Sequence, residues 1–169
     1  MPNDTSPSTP AGRPTDRPWP VQRRFDVTYH DVDALNHLNH VVYFQYMETL
    51  RCDYYLPLAN IPDPRAIDMI VAEASCRYLA PAFYASAILG EVAPARPLGR
   101  TSFQLLYRFT DPHQPSTVYA RGRTVIVSYD YARNEKKPIA PEIRARMESE
   151  AVDPTEEGWE LPAPRRSPP

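Results

Sequence analysis

Hydrophobic and polar positions alternate from Gln22 to His30, with Phe25, Val27 and Tyr29 on one face and Arg24, Asp26, Thr28 and His30 on the other. A period of two predicts a half-buried strand. The period then changes: from Tyr43 the side chains Tyr46, Met47, Leu50 and Tyr54 recur at three and four, which puts them on one helical stripe. Val41, Phe44 and Tyr55 lie beside that stripe and Gln45, Glu48, Thr49 and Cys52 opposite it, so a central helix covered on most of its circumference is expected. Asn39 or Asn36 can cap its start by accepting from a free first-turn N–H. Pro57, Pro62 and Pro64 turn Leu56 to Arg65 into a loop.

Alternation resumes from Ile67, with Ile70, Ala72, Ala74, Cys76 and Tyr78 sharing a face up to Pro81. Ser86 to Leu98 reads as a further strand region in which Pro94 and Pro97 imply a bulge or an edge. Arg100 to Thr110 sets Phe103, Leu105, Tyr107 and Phe109 against Gln104, Leu106 and Arg108. After a turn over Asp111 to Ser116 comes a long strand, Thr117 to Tyr131, with Val125, Val127, Tyr129 and Tyr131 on one side. Pro141 opens a short helix with Ile143, Met147 and Ala151 at a spacing of four. The turns between the four successive strands are too short for parallel crossovers, so an α+β fold is predicted, an antiparallel sheet carrying one buried helix.

At 169 residues the chain fits one domain with a full core. Of its 21 prolines, six fall in the first twenty residues and five in the last eighteen. Residues 1–20 and 152–169 are therefore expected to be disordered Pro-rich tails around a folded domain, 21–151. A net charge of −2 argues against nucleic acid as the main partner. No apolar run is long enough for a membrane span or the core of a signal peptide, so no membrane partner and a cytoplasmic location are expected. Cys52 and Cys76 read as two reduced buried thiols.

One stretch concentrates the candidate chemistry: His30 to Arg51, HDVDALNHLNHVVYFQYMETLR. Asp31 to Leu38 must connect strand to helix and deliver Asp33 close to unpaired N–H groups that carry a partial charge of roughly +0.5. A carbonyl polarised there could be attacked by Asp33 or by a water that Asp33 deprotonates, with the helix end holding the oxyanion. Acyl transfer to water is the reaction this suits. Asp31 reads as a turn-orienting residue and reserve candidate. His37 and His40 lie three apart, but no third ligand at a recognised spacing joins them, so no metal is expected.

The run from Asp31 to Glu48 resembles the signature of the hotdog-fold 4-hydroxybenzoyl-CoA thioesterase family, D-x-D-x-x-G-H-x-N-N-x-x-Y followed by an aromatic-rich helix. The family's Gly is Asn36 here, and the second Asn of its pair is His40. Asn tolerates a left-handed backbone, so Asn36 can keep the turn. The resemblance implies a hotdog fold, an antiparallel sheet wrapped on a long central helix with a short C-terminal helix, and a homodimer or homotetramer with sites between subunits.

The resemblance also implies hydrolysis of acyl-CoA or acyl-carrier-protein thioesters, with Asp33 as nucleophile or general base and His40 beside it. Coenzyme A enters only as part of the substrate, and no cofactor is implied. N–H groups near His40 and Val41 are expected to form the oxyanion site, with His37, Asn39 and Tyr43 positioning substrate. Glu48, on the helix, is the rival carboxylate, although an ion pair or a hydrogen-bonded structural role is the favoured reading of it. Arg133, Lys136 and Lys137 are candidates for the phosphates of coenzyme A. The competing reading is a non-catalytic hotdog module that binds acyl thioesters or fatty acyl groups.

Overall fold

The strand predicted from Gln22 to His30 forms only from Val21 to Asp26 (β1). Beyond it, Asp31 Oδ2 accepts from the Thr28 N–H at 2.8 Å and from the Thr28 hydroxyl at 2.7 Å, which winds Tyr29–Asp31 into a 3-10 turn. Tyr29, expected on the buried face, is consequently 77 % exposed. The computed structural model describes residues 19–159.

The central helix, α1, runs from His40 to Leu58 and buries Tyr43, Tyr46, Met47, Leu50 and Tyr54, the stripe given by the three-four spacing. Asn39 is its cap, while Asn36 lies in the preceding loop. The helix passes Pro57 instead of ending before it. Tyr55 O closes the last turn by accepting from Ala59 N at 2.9 Å. The opposite side is open, not covered: Gln45 and Glu48 are exposed, and so is Val41 at 49 %.

Strands β2 (Met69–Tyr78), β3 (Ala87–Ala95), β4 (Ser102–Thr110) and β5 (Val118–Asp130) follow, then a two-residue strand β6 (Glu135–Lys136) and helix α2 (Pro141–Glu150). Among the described residues these strands pair only antiparallel, in the order β1-β3-β4-β5-β2, with β6 on β5. This is the architecture expected of a hotdog fold, with β2 as an edge strand. Pro94 sits past the end of the β1 ladder, which stops at Val21 opposite Val92, so its missing N–H breaks no pairing there.

A register shift between Val71 and Glu73 corrects the face assigned to β2. Met69, Val71, Ala74, Cys76 and Tyr78 stand opposite Ser128, Ile126, Thr124, Gly122 and Ala120, the buried row of β5, whereas Ile70 points the other way. A bulge inserts one residue and reverses the alternation beyond it. On β5 the row under the helix is this one, small or polar except for Ile126. The valines and tyrosines read from the sequence occupy the outer side. Gly122 lets α1 approach, since a Cβ there would lie 2.6 Å from Met47 Sδ. Cys52 and Cys76 are free thiols and half-buried, not buried.

The expected domain limits need extending at both ends. Trp19 is buried. Val152 makes a parallel bridge to Ala95, donating to Pro94 O at 2.9 Å and accepting from Arg96 N at 3.0 Å. Trp159 packs with Trp19, Ala93, Ala95 and Leu106 on the outer face of the sheet. Residues 152–159, read as tail from their polarity and proline, are thus a strap anchored by one large aromatic side chain. The remaining tail positions, 1–18 and 160–169, lie outside the described residues.

Candidate active site

Asp33 sits in a loop closed by backbone bonds. Its N–H donates to His37 O at 2.8 Å, and its carbonyl accepts from Asn36 N at 3.0 Å. Asn36, which stands where the signature it resembles has glycine, takes the left-handed conformation, φ 64°. The loop is tied to the segment before β3: Leu38 N donates to Ala82 O at 2.8 Å, His37 bridges Phe83, and Tyr84 N donates to Asn36 Oδ1 at 3.4 Å. Asn39 N donates to Asp31 O at 2.8 Å, and Asp31's carboxylate serves the Thr28 turn, so Asp31 holds the loop in place.

The Asp33 carboxylate is exposed, and Oδ1 accepts from Leu35 N at 2.8 Å and His37 N at 3.0 Å. Those two bonds, His37's first, hold its acid form below the usual carboxylate range. Oδ2 has no protein partner among the described residues. Near neutral pH the site therefore presents an ionised carboxylate with one oxygen fixed and the other open to a ligand.

At the start of α1, Asn39 Oδ1 accepts from Val41 N at 3.1 Å, and Asn39 O from Val42 N at 3.0 Å. This corrects the expected oxyanion pair, because the Val41 N–H is spent on the cap. The Val41 side chain points to the surface as well. The His40 N–H is the first-turn donor left without a partner among the described residues.

Asp33, His37, His40 and Tyr43 line one cleft of about 430 Å³, walled across the way by Tyr78 and residues 79–82. Tyr78 hydroxyl donates to His40 O at 3.4 Å, and its ring lies 5.4 Å from that of Tyr43. Tyr43 itself is buried against Phe109, and burial raises its phenol far above the ordinary value. Beside it, burial pushes the Cys76 thiol up to about 11, so it is neutral.

Other sequence candidates lie elsewhere. Glu48 is 68 % exposed in its side chain and pairs with Arg51 at 3.5 Å, away from the cleft. Lys137 pairs with Asp68 at 2.7 Å, and Arg133 lies near Asp130 and Glu135. These belong to the Met69 end of β2, whereas the cleft opens at its Tyr78 end. Tyr78 and its successors were missed as wall residues. Their one sequence signal is that the β2 alternation ends at Tyr78, followed by Leu79 to Ala82. No group of three or more His, Cys, Asp and Glu among the described residues could hold a metal ion.

The model of the Thioesterase-like superfamily matches residues 27–147. No curated protein matches the sequence. Among solved structures, a thioesterase from Thermus thermophilus, complexed with coenzyme A and zinc, is 28 % identical, with a TM-score of 0.67 over 76 % of this chain and 98 % of that one. A putative thioesterase from Pseudomonas aeruginosa is 27 % identical, with a TM-score of 0.67 over 74 % of this chain and 95 % of that one. A gentisyl-coenzyme A thioesterase, BH1999, shares the fold at 24 % identity, with a TM-score of 0.61 over 76 % and 99 %.

Proposed function

Because the chain belongs to the thioesterase-like superfamily, we propose that its Asp33–His40 cleft hydrolyses acyl thioesters of coenzyme A or acyl carrier protein. One observation carries the reading: Asp33, ionised and with one oxygen free among the described residues, and His40, whose helix-start N–H is unpaired among them, line the same cleft. The thioester carbonyl oxygen accepts from His40 N–H, and Asp33 Oδ2 draws a proton from water as it adds to the carbonyl carbon. The tetrahedral oxyanion collapses, the C–S bond breaks, and the thiolate leaves with the proton that Asp33 took from water, which restores the carboxylate. Direct attack by Asp33 gives an acyl anhydride that water then cleaves, with the same products. His37 and the His40 side chain flank the reacting carbonyl, and Tyr43 and Tyr78 bound the acyl group.

We propose further that two copies pair along β2. Its outer edge has no strand partner among the described residues, and Val71 and Tyr78 stand 40 % and 46 % exposed on the helix side. An unpaired edge with apolar neighbours is a ready template for a second strand. The cleft opens at that edge, so a second copy would wall it. Light scattering should give a dimer, or a multiple of it, that Ala74→Lys weakens; a monomer at every concentration removes this part of the reading.

Unpaired Cys52 and Cys76 suit a reducing compartment, in keeping with a cytoplasmic enzyme. No helix among the described residues is long and apolar enough to cross a membrane. The activity is tested by thiol release from a panel of short, long and aromatic acyl-coenzyme A substrates. Turnover on any member supports the hydrolase. An inert protein that still binds acyl-coenzyme A by calorimetry is a binding module, a reading favoured by the commitment of Asp33 Oδ1 to its own loop.

A further inference from the structure

On the outer face of the sheet, away from α1, one row of directly opposed residues crosses four strands: Glu91 on β3, Arg108 on β4, Arg121 on β5 and Arg77 on β2. Three arginines thus occupy directly opposed positions, an arrangement that repels unless anions intervene. Arg108 is well compensated: its Nε donates to Glu91 Oε2 at 2.7 Å, Glu157 Oε2 lies 3.6 Å from its Nη1, and its guanidinium stacks 4.8 Å from the Trp19 ring. Arg77 lies over the Trp159 ring at 5.7 Å. In the next row Arg123 is paired with Glu73.

Arg121 is the exception. It makes no hydrogen bond or ion pair among the described residues, its Nε is buried without a partner there, and Glu157 acts on its charge only from beyond ion-pair distance. Its guanidinium lies against the backbone of Gly158, so close that a Cβ there would clash with it. Glu91 and Glu157 together cannot neutralise Arg77, Arg108 and Arg121. Glu91 is fully used, because Gln22 Nε2 donates to its other oxygen at 2.9 Å. A half-buried guanidinium without an acceptor is costly. Arg121 lines a cavity of about 370 Å³ together with Arg108, the hydroxyl-bearing Thr110 and Ser116, and Glu91, whose carboxylate is held by Arg108 and Gln22.

We propose that this cavity binds a small oxyanion, a phosphate or carboxylate group, gripped by Arg121 with Arg108 beside it and by the Thr110 and Ser116 hydroxyls. Guanidinium forks match both groups. The cavity exceeds the bulk of one such group, so a larger molecule carrying it fits. The site opens on the face of the sheet opposite Asp33, and its occupancy is independent of the thioester reaction.

The test uses the full chain at constant ionic strength, with inorganic phosphate and acetate titrated against chloride by calorimetry and thermal unfolding. Saturable binding of phosphate, with one site per chain and a rise in Tm, is expected; saturation by acetate instead assigns the carboxylate. Arg121→Gln should raise the apparent Kd at least tenfold yet lose little stability in phosphate-free buffer, since it removes a guanidinium whose buried Nε has no hydrogen-bond partner among the described residues. Arg121→Lys should bind more weakly than the native protein and more tightly than Arg121→Gln. The proposal is overturned if neither anion differs from chloride, or if Arg121→Gln keeps the response. It is equally overturned if Arg121→Gln destabilises the chain by the same amount with and without anion, the mark of a purely structural contact with Gly158.

Discussion

Replacing Asn39 by Ala separates two roles that meet at the start of α1. The side-chain oxygen of Asn39 accepts from Val41 N at 3.1 Å, and the helix it caps is 19 residues long and carries the core stripe. Losing such a cap costs about 1 kcal/mol, within a range of roughly 0.5 to 2. For a domain of this size, that corresponds to a fall in Tm of about 3 °C. The effect on catalysis should be larger. The cap fixes the first turn, and so the aim of the neighbouring His40 N–H at the thioester oxygen. Loss of an oxyanion donor costs about 2.7 to 4 kcal/mol, or roughly 10² to 10³ in kcat. Asn39→Asp keeps the acceptor and adds negative charge at the positive helix end, which favours stability by about 0.3 to 1 kcal/mol. The same charge beside a developing oxyanion should still slow turnover. Urea unfolding and steady-state thiol release on the three proteins give both quantities. Unchanged kcat in Asn39→Ala alongside the expected loss of stability would refute the role given to the His40 N–H.

Other consequences can be measured as directly. The Asp33 carboxyl is held below its ordinary value of 3.8 by its backbone donors, so its charge is present at neutral pH and lost only as pH falls through the lowered value. The acid limb of kcat/KM governed by Asp33 should therefore fall below pH 3.8, and an acid limb well above that value would refute its assignment to Asp33. Tyr107 hydroxyl shares a buried bond of 2.9 Å with Thr124, so Tyr107→Phe should cost about 1 kcal/mol in urea unfolding. Tyr43→Phe, which removes a hydroxyl with no partner among the described residues, should be close to neutral. Trp159→Ala should destabilise by about 3 kcal/mol if the strap closes the outer cluster; a change below about 0.5 kcal/mol would return residues 152–159 to the status of a tail.

Much of the inner architecture was legible because periodicity reports burial. The stripe from Tyr43 to Tyr54 is the buried side of α1, and Phe103, Leu105, Tyr107 and Phe109 are fully buried on β4. What periodicity could not show depends on backbone events or on distant segments. The bulge at β2 reverses a face without any glycine or proline to mark it. The Thr28–Asp31 bonds end β1 early because a short polar side chain outcompetes the ladder locally. Trp159 is one large residue in a polar stretch, too isolated to form a pattern, yet it finds Trp19 across the sheet.

The loop and helix start that hold the candidate site were legible in their residue types and only partly in their geometry. Asn36 adopts the left-handed turn and Asn39 caps the helix, both consistent with their residue types. The cap, however, takes the Val41 N–H that spacing had offered to substrate, which shows that one donor cannot be counted twice. The partnership of Tyr78 and residues 79–82 with the Asp33 loop arises from tertiary contact between segments about forty residues apart. Likewise, a net charge near zero concealed the arginines at 77, 108 and 121, which only strand register brings into a row.

The central claim is that the open oxygen of Asp33 performs the chemistry in this cleft. It is tested most directly by single-turnover thiol release from the best acyl-coenzyme A substrate, comparing native protein with Asp33→Asn. General-base chemistry contributes roughly 10² to 10⁴, so the variant should lose at least a hundredfold in rate while still binding the substrate. An Asp33→Asn protein that releases thiol within a few-fold of the native rate would contradict the account, leaving Asp33 as the residue that closes its loop.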